Sequence, residues 1–254
     1  MPPRESGVRY LVSWQQSADF LKANVTPAPP AAITARDDFS VTALHGTGLS
    51  ANRNHAVSCA TGDLLLLSDD DCRYRTEHFA AIRHAFAALP HADILILRAE
   101  DTDGELLPKP YPAAPVPYTK RPKGFYASSV EIALRRTALP LPAFDTRFGM
   151  GAPFLGCCEE ELFLHEAQRA GKSVWLYPAT VVSTPAATTG TRFRTDTAAQ
   201  RAVGALHAVI HGRAGALLRA VKYAALLRAP LTDKAALFTH MAEGISYISR
   251  TPRP

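Results

Sequence analysis

The stretch Leu64-Leu65-Leu66-Leu67-Ser68-Asp69-Asp70-Asp71 decides the fold class. Four consecutive leucines suit a short strand buried on both faces, and such strands belong to sheets covered by helices. The three carboxylates that follow then fall at the carboxyl end of that strand, the edge at which open α/β sheets bind ligands. Adjacent carboxylates repel one another unless a cation or solvent offsets them. Hard divalent ions are commonly held by one or two carboxylates plus substrate phosphates. Taken alone, the triplet also reads as a solvated acidic turn before a helix near Thr76.

Upstream, Thr61-Gly62-Asp63 breaks the chain, and Ser50 reads as the N-cap of a helix through Ala60. Within Gly48-Leu49-Ser50-Ala51-Asn52-Arg53-Asn54, the helix start and Arg53 would attract a phosphate, although a plain cap with a surface arginine fits as well. Residues 10–14 read as a first strand, with a helical candidate opening at Ser17, a proline break at Pro27, Pro29 and Pro30, and a weak second strand over 33–35. Downstream of the triplet, Phe79, Ile82, Phe86 and Leu89 recur at helical spacing, and residues 94–97 repeat the short apolar strand. This alternation predicts an α/β sheet with parallel members.

Six prolines fall between Pro108 and Pro122, with Lys109, Lys120 and Arg121 among them, so a long irregular loop is expected there. Val130, Ile132 and Leu134 alternate with Glu131, Ala133 and Arg135 as in a half-buried strand. Residues 159–170 read as a helix closed by Gly171, opened by Glu159-Glu160-Glu161. Acids at a helix start are favoured by its dipole, and a carboxylate on that junction after Phe148-Gly149-Met150-Gly151 is also well placed as a general base. A strand over 174–177, a Thr/Ala/Gly-rich segment over 184–196 and helices over 197–211, 214–228 and 231–249 complete the chain.

Composition narrows the class further. With 254 residues, 47% hydrophobic and 20% charged, the chain is neither collagenous nor disordered. Its four cysteines do not form a secreted disulfide framework, which points to reduced thiols in a cytoplasmic setting. Residues 197–254 hold eight Lys and Arg against two acids, so the tail carries +6 and the remainder −1 of the net +5. No nucleic-acid motif accompanies it, and no nucleic acid is expected as a partner.

Together, Gly48 to Asn54, Ala60-Thr61-Gly62-Asp63 through Asp71, and Glu159-Glu160-Glu161-Leu162-Phe163-Leu164 resemble the family-two glycosyltransferases of the GT-A fold. Phe144-Asp145-Thr146-Arg147-Phe148-Gly149 looks like that family's acceptor-side segment, and the likeness is greatest to short capsule or surface-polysaccharide members. The resemblance implies a Rossmann-like, mixed, mostly parallel sheet flanked by helices in a catalytic domain of residues 1–196. A basic helical extension of residues 197–254 would pack on it.

It further implies an inverting transferase, with a nucleotide-sugar donor (a UDP-sugar first), a saccharide or lipid-linked acceptor, and Mn2+ or Mg2+. Asp69 and Asp71 correspond to the outer residues of the family's metal-binding Asp-x-Asp motif, with Asp71 the direct ligand. Arg53, Asp69, Asp70 and Asp38 are assigned to the donor, Glu160 to the base that deprotonates the acceptor, and Glu159 to its partner. Where the family has Pro-x-Tyr-Asn this chain has Val12-Ser13-Trp14-Gln15, and Glu160 replaces the usual Asp. The alternatives are a catalytically silent saccharide-binding scaffold and, next, a nucleotidyltransferase, although the chain lacks that enzyme's glycine-rich loop after strand one. The tail's helices would cover the acceptor side, pair two subunits, or lie on the anionic inner face of the plasma membrane, with ordinary packing preferred.

Overall fold

The structure is a computed structural model that describes residues 1–16, 28–185 and 193–253. The helical candidate opening at Ser17, Pro27 and most of the segment 184–196 lie outside the described residues. The chain gathers into two compact units. The first is Met1–Gly46, Arg53–Ala143 and Leu164–Ala186; the second is Thr47–Asn52, Phe144–Phe163 and Ala187–Pro254.

In the first unit, β1 (Tyr10–Gln16) and β2 (Phe39–His45) pair in parallel from Tyr10↔Phe39 to Gln16↔His45. The strand expected over 33–35 is instead a short helix, α1 (Ala31–Thr34). Its sequence holds two alanines and a single β-branched apolar residue, which favours a helical turn over an extended strand. Asp38 therefore precedes β2 rather than ending a strand.

The main sheet contains β3 (Leu64–Leu66), β4 (Ile94–Glu100), β5 (Val116–Pro117), β6 (Ile132–Arg135) and β7 (Val174–Ser183), in the order β3-β6-β4-β7-β5. β6 runs antiparallel to both β3 and β4, while β4 and β7 are parallel. β3, β4 and β7 consequently share one direction, and their carboxyl ends meet the amino end of β6 along one edge. The apolar run Ile94 to Leu97 is at most 1% exposed, as expected for a strand covered on both faces. Burying one such side chain contributes about 1.5–3 kcal/mol.

The helix α3 (Thr76–Ala88) follows β3 and turns Phe79, Ile82 and Phe86 into the core cluster that holds Leu95, Leu97 and Val181. β7 continues well past Tyr177 because β4 offers it partners as far as Glu100↔Ser183. The pairing shifts register beside Arg98, which accommodates Pro178 and its missing N–H. Glu131 departs from the expected alternation. It lies in a 3-10 turn, Ser129–Glu131, ahead of β6, and it is fully buried, as is Ala133 on the strand itself.

Two helices cross the boundary between chain segments, α2 (Leu49–Cys59) and α4 (Glu159–Arg169). The second unit is built mainly by α5 (Thr197–Leu226) and α6 (Leu231–Arg250). Asp196 caps α5 by accepting hydrogen bonds from the backbone N–H groups of Ala198 (2.8 Å) and Ala199 (3.2 Å). Gly212, at φ 70° and ψ 170°, breaks the regularity of α5 where the sequence separates two helical runs. The fold is thus α/β, with a mixed sheet, flanking helices and a C-terminal helical region, as the sequence implied. No helix among the described residues is long and apolar enough to cross a membrane.

Candidate active site

Asp69, Asp70 and Asp71 follow β3 directly and stand on the edge formed by the carboxyl ends of β3, β4 and β7. α2 brings Arg53 to this edge, buried at 7% exposure, with its guanidinium 3.6 Å from the Asp69 carboxylate. Arg53 also donates to the Ser129 hydroxyl (2.7 Å), and that hydroxyl donates in turn to Asp69 (3.4 Å). Arg53 is therefore a partner that orients Asp69, not an arginine standing alone at a helix start.

Among the described residues no arginine or lysine side chain pairs with Asp71. Burial, together with the charges of Asp69 and Asp70, raises its pKa above the ordinary carboxylate value. A cation beside the triplet would remove that penalty, so the chemistry of these donors fits a hard divalent ion. Among the described residues no three His, Cys, Asp or Glu side chains gather into a metal cage.

Behind Ser129 lies a buried polar network. Lys109 donates to Glu131 (2.8 Å) and to the Ser128 hydroxyl (2.6 Å), and both members of the Lys109–Glu131 pair are fully shielded from solvent. The Tyr111 hydroxyl donates to the other Glu131 oxygen, and the Ser128 N–H donates to Glu131 (2.8 Å). This network secures the turn that carries Ser129 to Asp69. At the same edge Glu100 accepts from Ser183 (2.6 Å) and pairs with Arg75 (2.8 Å). Burial opposes its charge, but these two donors outweigh burial and lower its pKa. Sequence reading passed over Ser129, Glu131 and Glu100. The one available signal was Lys109 in a proline-rich loop.

Asp38 sits elsewhere, at the amino end of β2, opposite the end that carries His45. Arg36 donates to both of its oxygens, at 2.9 and 2.5 Å, and lowers its pKa.

In the second unit Glu159 and Glu160 open α4. Ser50, expected as an N-cap, is the second residue of α2 and donates its hydroxyl to the Phe148 carbonyl (2.7 Å). Its burial against a loop, rather than its place at a helix start, gives the side chain its partner. Gly149, at φ 101°, lies so close to Glu159 that a Cβ there would stand 3.0 Å from the carboxyl carbon. Glu159 is 4% exposed beneath this loop, and Glu160 is more accessible. Just before them Cys158 adopts φ 73°, a left-handed conformation unusual for a residue with a Cβ. Its thiol pKa is pushed well up by the hydrogen bond with Cys157 and by burial, which marks it as an unreactive thiol.

Residues 27–136 match the family described as Glycosyl transferase family 2. Over that segment, somewhat less than half of its length, the chain is similar to glycosyl transferase family 2. The matched segment includes the Asp triplet, Arg53 and Ser129, whereas Glu159 and Glu160 lie beyond it. The crystal structure of S. aureus TarS 1–349 superposes with a TM-score of 0.50 at 16% identity, covering 96% of this chain and 63% of that one. The chain thus spans just over three fifths of that TarS 1–349 piece and 43% of the longer TarS crystal structure, and the likeness establishes a GT-A fold. The mannosyltransferase PcManGT from Pyrobaculum calidifontis, in complex with GDP-Man and Mn2+, superposes with a TM-score of 0.44 at 14% identity, covering 97% and 76% of the two chains. No curated protein matches the sequence significantly.

Proposed function

We propose that the chain is a metal-dependent, inverting glycosyltransferase that moves a sugar from a nucleotide-sugar donor to a hydroxyl of a saccharide or lipid-linked acceptor, in surface polysaccharide or glycoconjugate synthesis. One observation carries the reading: within the matched segment, the acidic triplet stands on the ligand-binding edge with one carboxylate held by Arg53 and Ser129 and another, Asp71, destabilised as an anion. Asp71 and Asp69 would hold Mn2+ or Mg2+, which when bound offsets charge on the departing nucleotide diphosphate. Arg53 and Ser129 fix the direction in which Asp69 presents its oxygens. Glu160 takes the proton of the acceptor hydroxyl as its oxygen attacks the anomeric carbon from the face opposite the nucleotide, and the bond to the nucleotide breaks. Glu159, buried against Gly149, holds the start of α4 that presents Glu160.

The test is a thermal-shift series with UDP, GDP, dTDP and CMP sugars, with and without Mn2+, on the wild type and on Asp71→Ala. A ligand at 100 times its Kd adds about 2.7 kcal/mol, several degrees for a chain of this size. The expected result is a Mn2+-dependent shift with one nucleotide class, UDP first, that is lost in Asp71→Ala. Glu160→Gln should keep that shift and lower turnover by about 10^2 to 10^4. A folded protein that shifts with none of the donors would overturn the proposal in favour of a silent saccharide-binding scaffold.

A further inference from the structure

Four large apolar side chains stand in solvent between residues 218 and 231: Leu218, Val221, Leu226 and Leu231, with Leu226 at 70% and Leu231 at 81% exposure, while the Tyr223 ring between them packs on Phe193 and His207. They occupy the last turns of α5, and Leu231 opens α6 just after the intervening turn. Leu218, Val221 and Leu226 recur at a spacing that sets them on one side of the helix. Other apolar residues of the same hairpin point inward, with Leu227 packed against the cluster of Ala220, Leu237 and Met241. The exposed set is therefore separate from the residues that hold the hairpin together.

The same segment is strongly basic. Residues 213–234 carry Arg213, Arg219, Lys222, Arg228 and Lys234 against the single acid Asp233. An apolar tip ringed by cations matches the boundary of an anionic bilayer, where leucines enter among the acyl chains and lysine and arginine meet lipid phosphates. A second copy of the chain is a poorer match, because a two-fold contact would set one basic tip against another. We infer that the α5–α6 hairpin tip is a docking surface for an anionic lipid bilayer, with Leu226 and Leu231 inserted and Lys222 and Arg228 on the lipid phosphates. This is contact from one side, since neither helix is able to span the membrane.

The experiment is co-sedimentation of the full chain with phosphatidylcholine vesicles, with and without phosphatidylglycerol, across a salt series. The wild type should pellet only with the anionic vesicles and release as salt rises. Leu226→Glu with Leu231→Glu, and separately Lys222→Glu with Arg228→Glu, should each weaken binding by about tenfold or more. Their melting temperatures should stay at the wild-type value, because the four positions lie outside the core. A wild type that stays in the supernatant with anionic vesicles overturns the inference, as does a leucine double variant that pellets like the wild type. Light scattering that shows a dimer dissolved by the leucine substitutions, without vesicle binding, would overturn it in favour of a second copy.

Discussion

Two acids on the ligand-binding edge behave differently because of their neighbours. Asp71 carries a raised pKa, caused by burial and by the adjacent carboxylates. A carboxylate whose folded pKa exceeds its unfolded value favours folding below the unfolded pKa and loses that contribution as pH rises through the folded one. Asp71→Asn should therefore melt above the wild type at neutral pH in EDTA, and the gap should close as pH falls through the carboxylate range. Adding Mn2+ should stabilise the wild type and leave the variant unmoved; a pH-independent gap would refute the assignment. Burial raises the pKa of Glu131 as well, although Lys109, Tyr111 and the Ser128 N–H oppose that shift. Its carboxylate is paired with Lys109 away from solvent, so Glu131→Ala strands a buried ammonium. Breaking such a pair costs about 3–5 kcal/mol, readable by urea unfolding, whereas an apolar replacement of both residues should recover much of that loss. The sequence marks Asp71 by its neighbours in the chain. It marks Glu131 not at all, since Lys109 and Glu131 meet only through the loop.

At the scale of elements, close approach governs the second unit. A Cβ on Gly204 would collide with the backbone of Met241, and one on Gly244 with the carbonyl of Arg201. α5 and α6 therefore cross where both lack side chains. Gly244→Ala should cost about 1–3 kcal/mol or more by forcing the helices apart, a loss that differential scanning calorimetry would detect, although alanine is the better helix former. An unchanged melting temperature would show that the crossing is looser than described. Apolar periodicity made α3, β3 and β4 legible in the sequence, because each buries a regular pattern. It failed for 33–35, where local helix preference prevailed, and for the end of β7, which extends because β4 supplies partners beyond Tyr177.

For the whole molecule, acid should weaken the second unit through two groups acting in sequence. His207 has both ring nitrogens buried without partners among the described residues, and burial, with His211 and Arg219 nearby, lowers its pKa to about 4. A base with a depressed pKa resists protonation when folded, so stability falls as pH drops from about 6.5 toward about 4. Asp145, buried but held by Arg147 at 2.6 Å, has a lowered pKa and loses its contribution at lower pH still. Melting temperature should therefore decline below about pH 6.5, and His207→Phe should flatten the first limb while leaving the second. A variant that tracks the wild type throughout would exclude His207. The sequence by itself determined the α/β class, the acidic edge after β3 and the break at Gly212, because each follows from the order of neighbouring residues. Only the tertiary structure decided that Arg53 and Ser129 hold Asp69, that Asp38 lies at the far end of β2, and which leucines of the hairpin face solvent. Those outcomes depend on contacts between residues distant in the chain, to which neither periodicity nor composition responds.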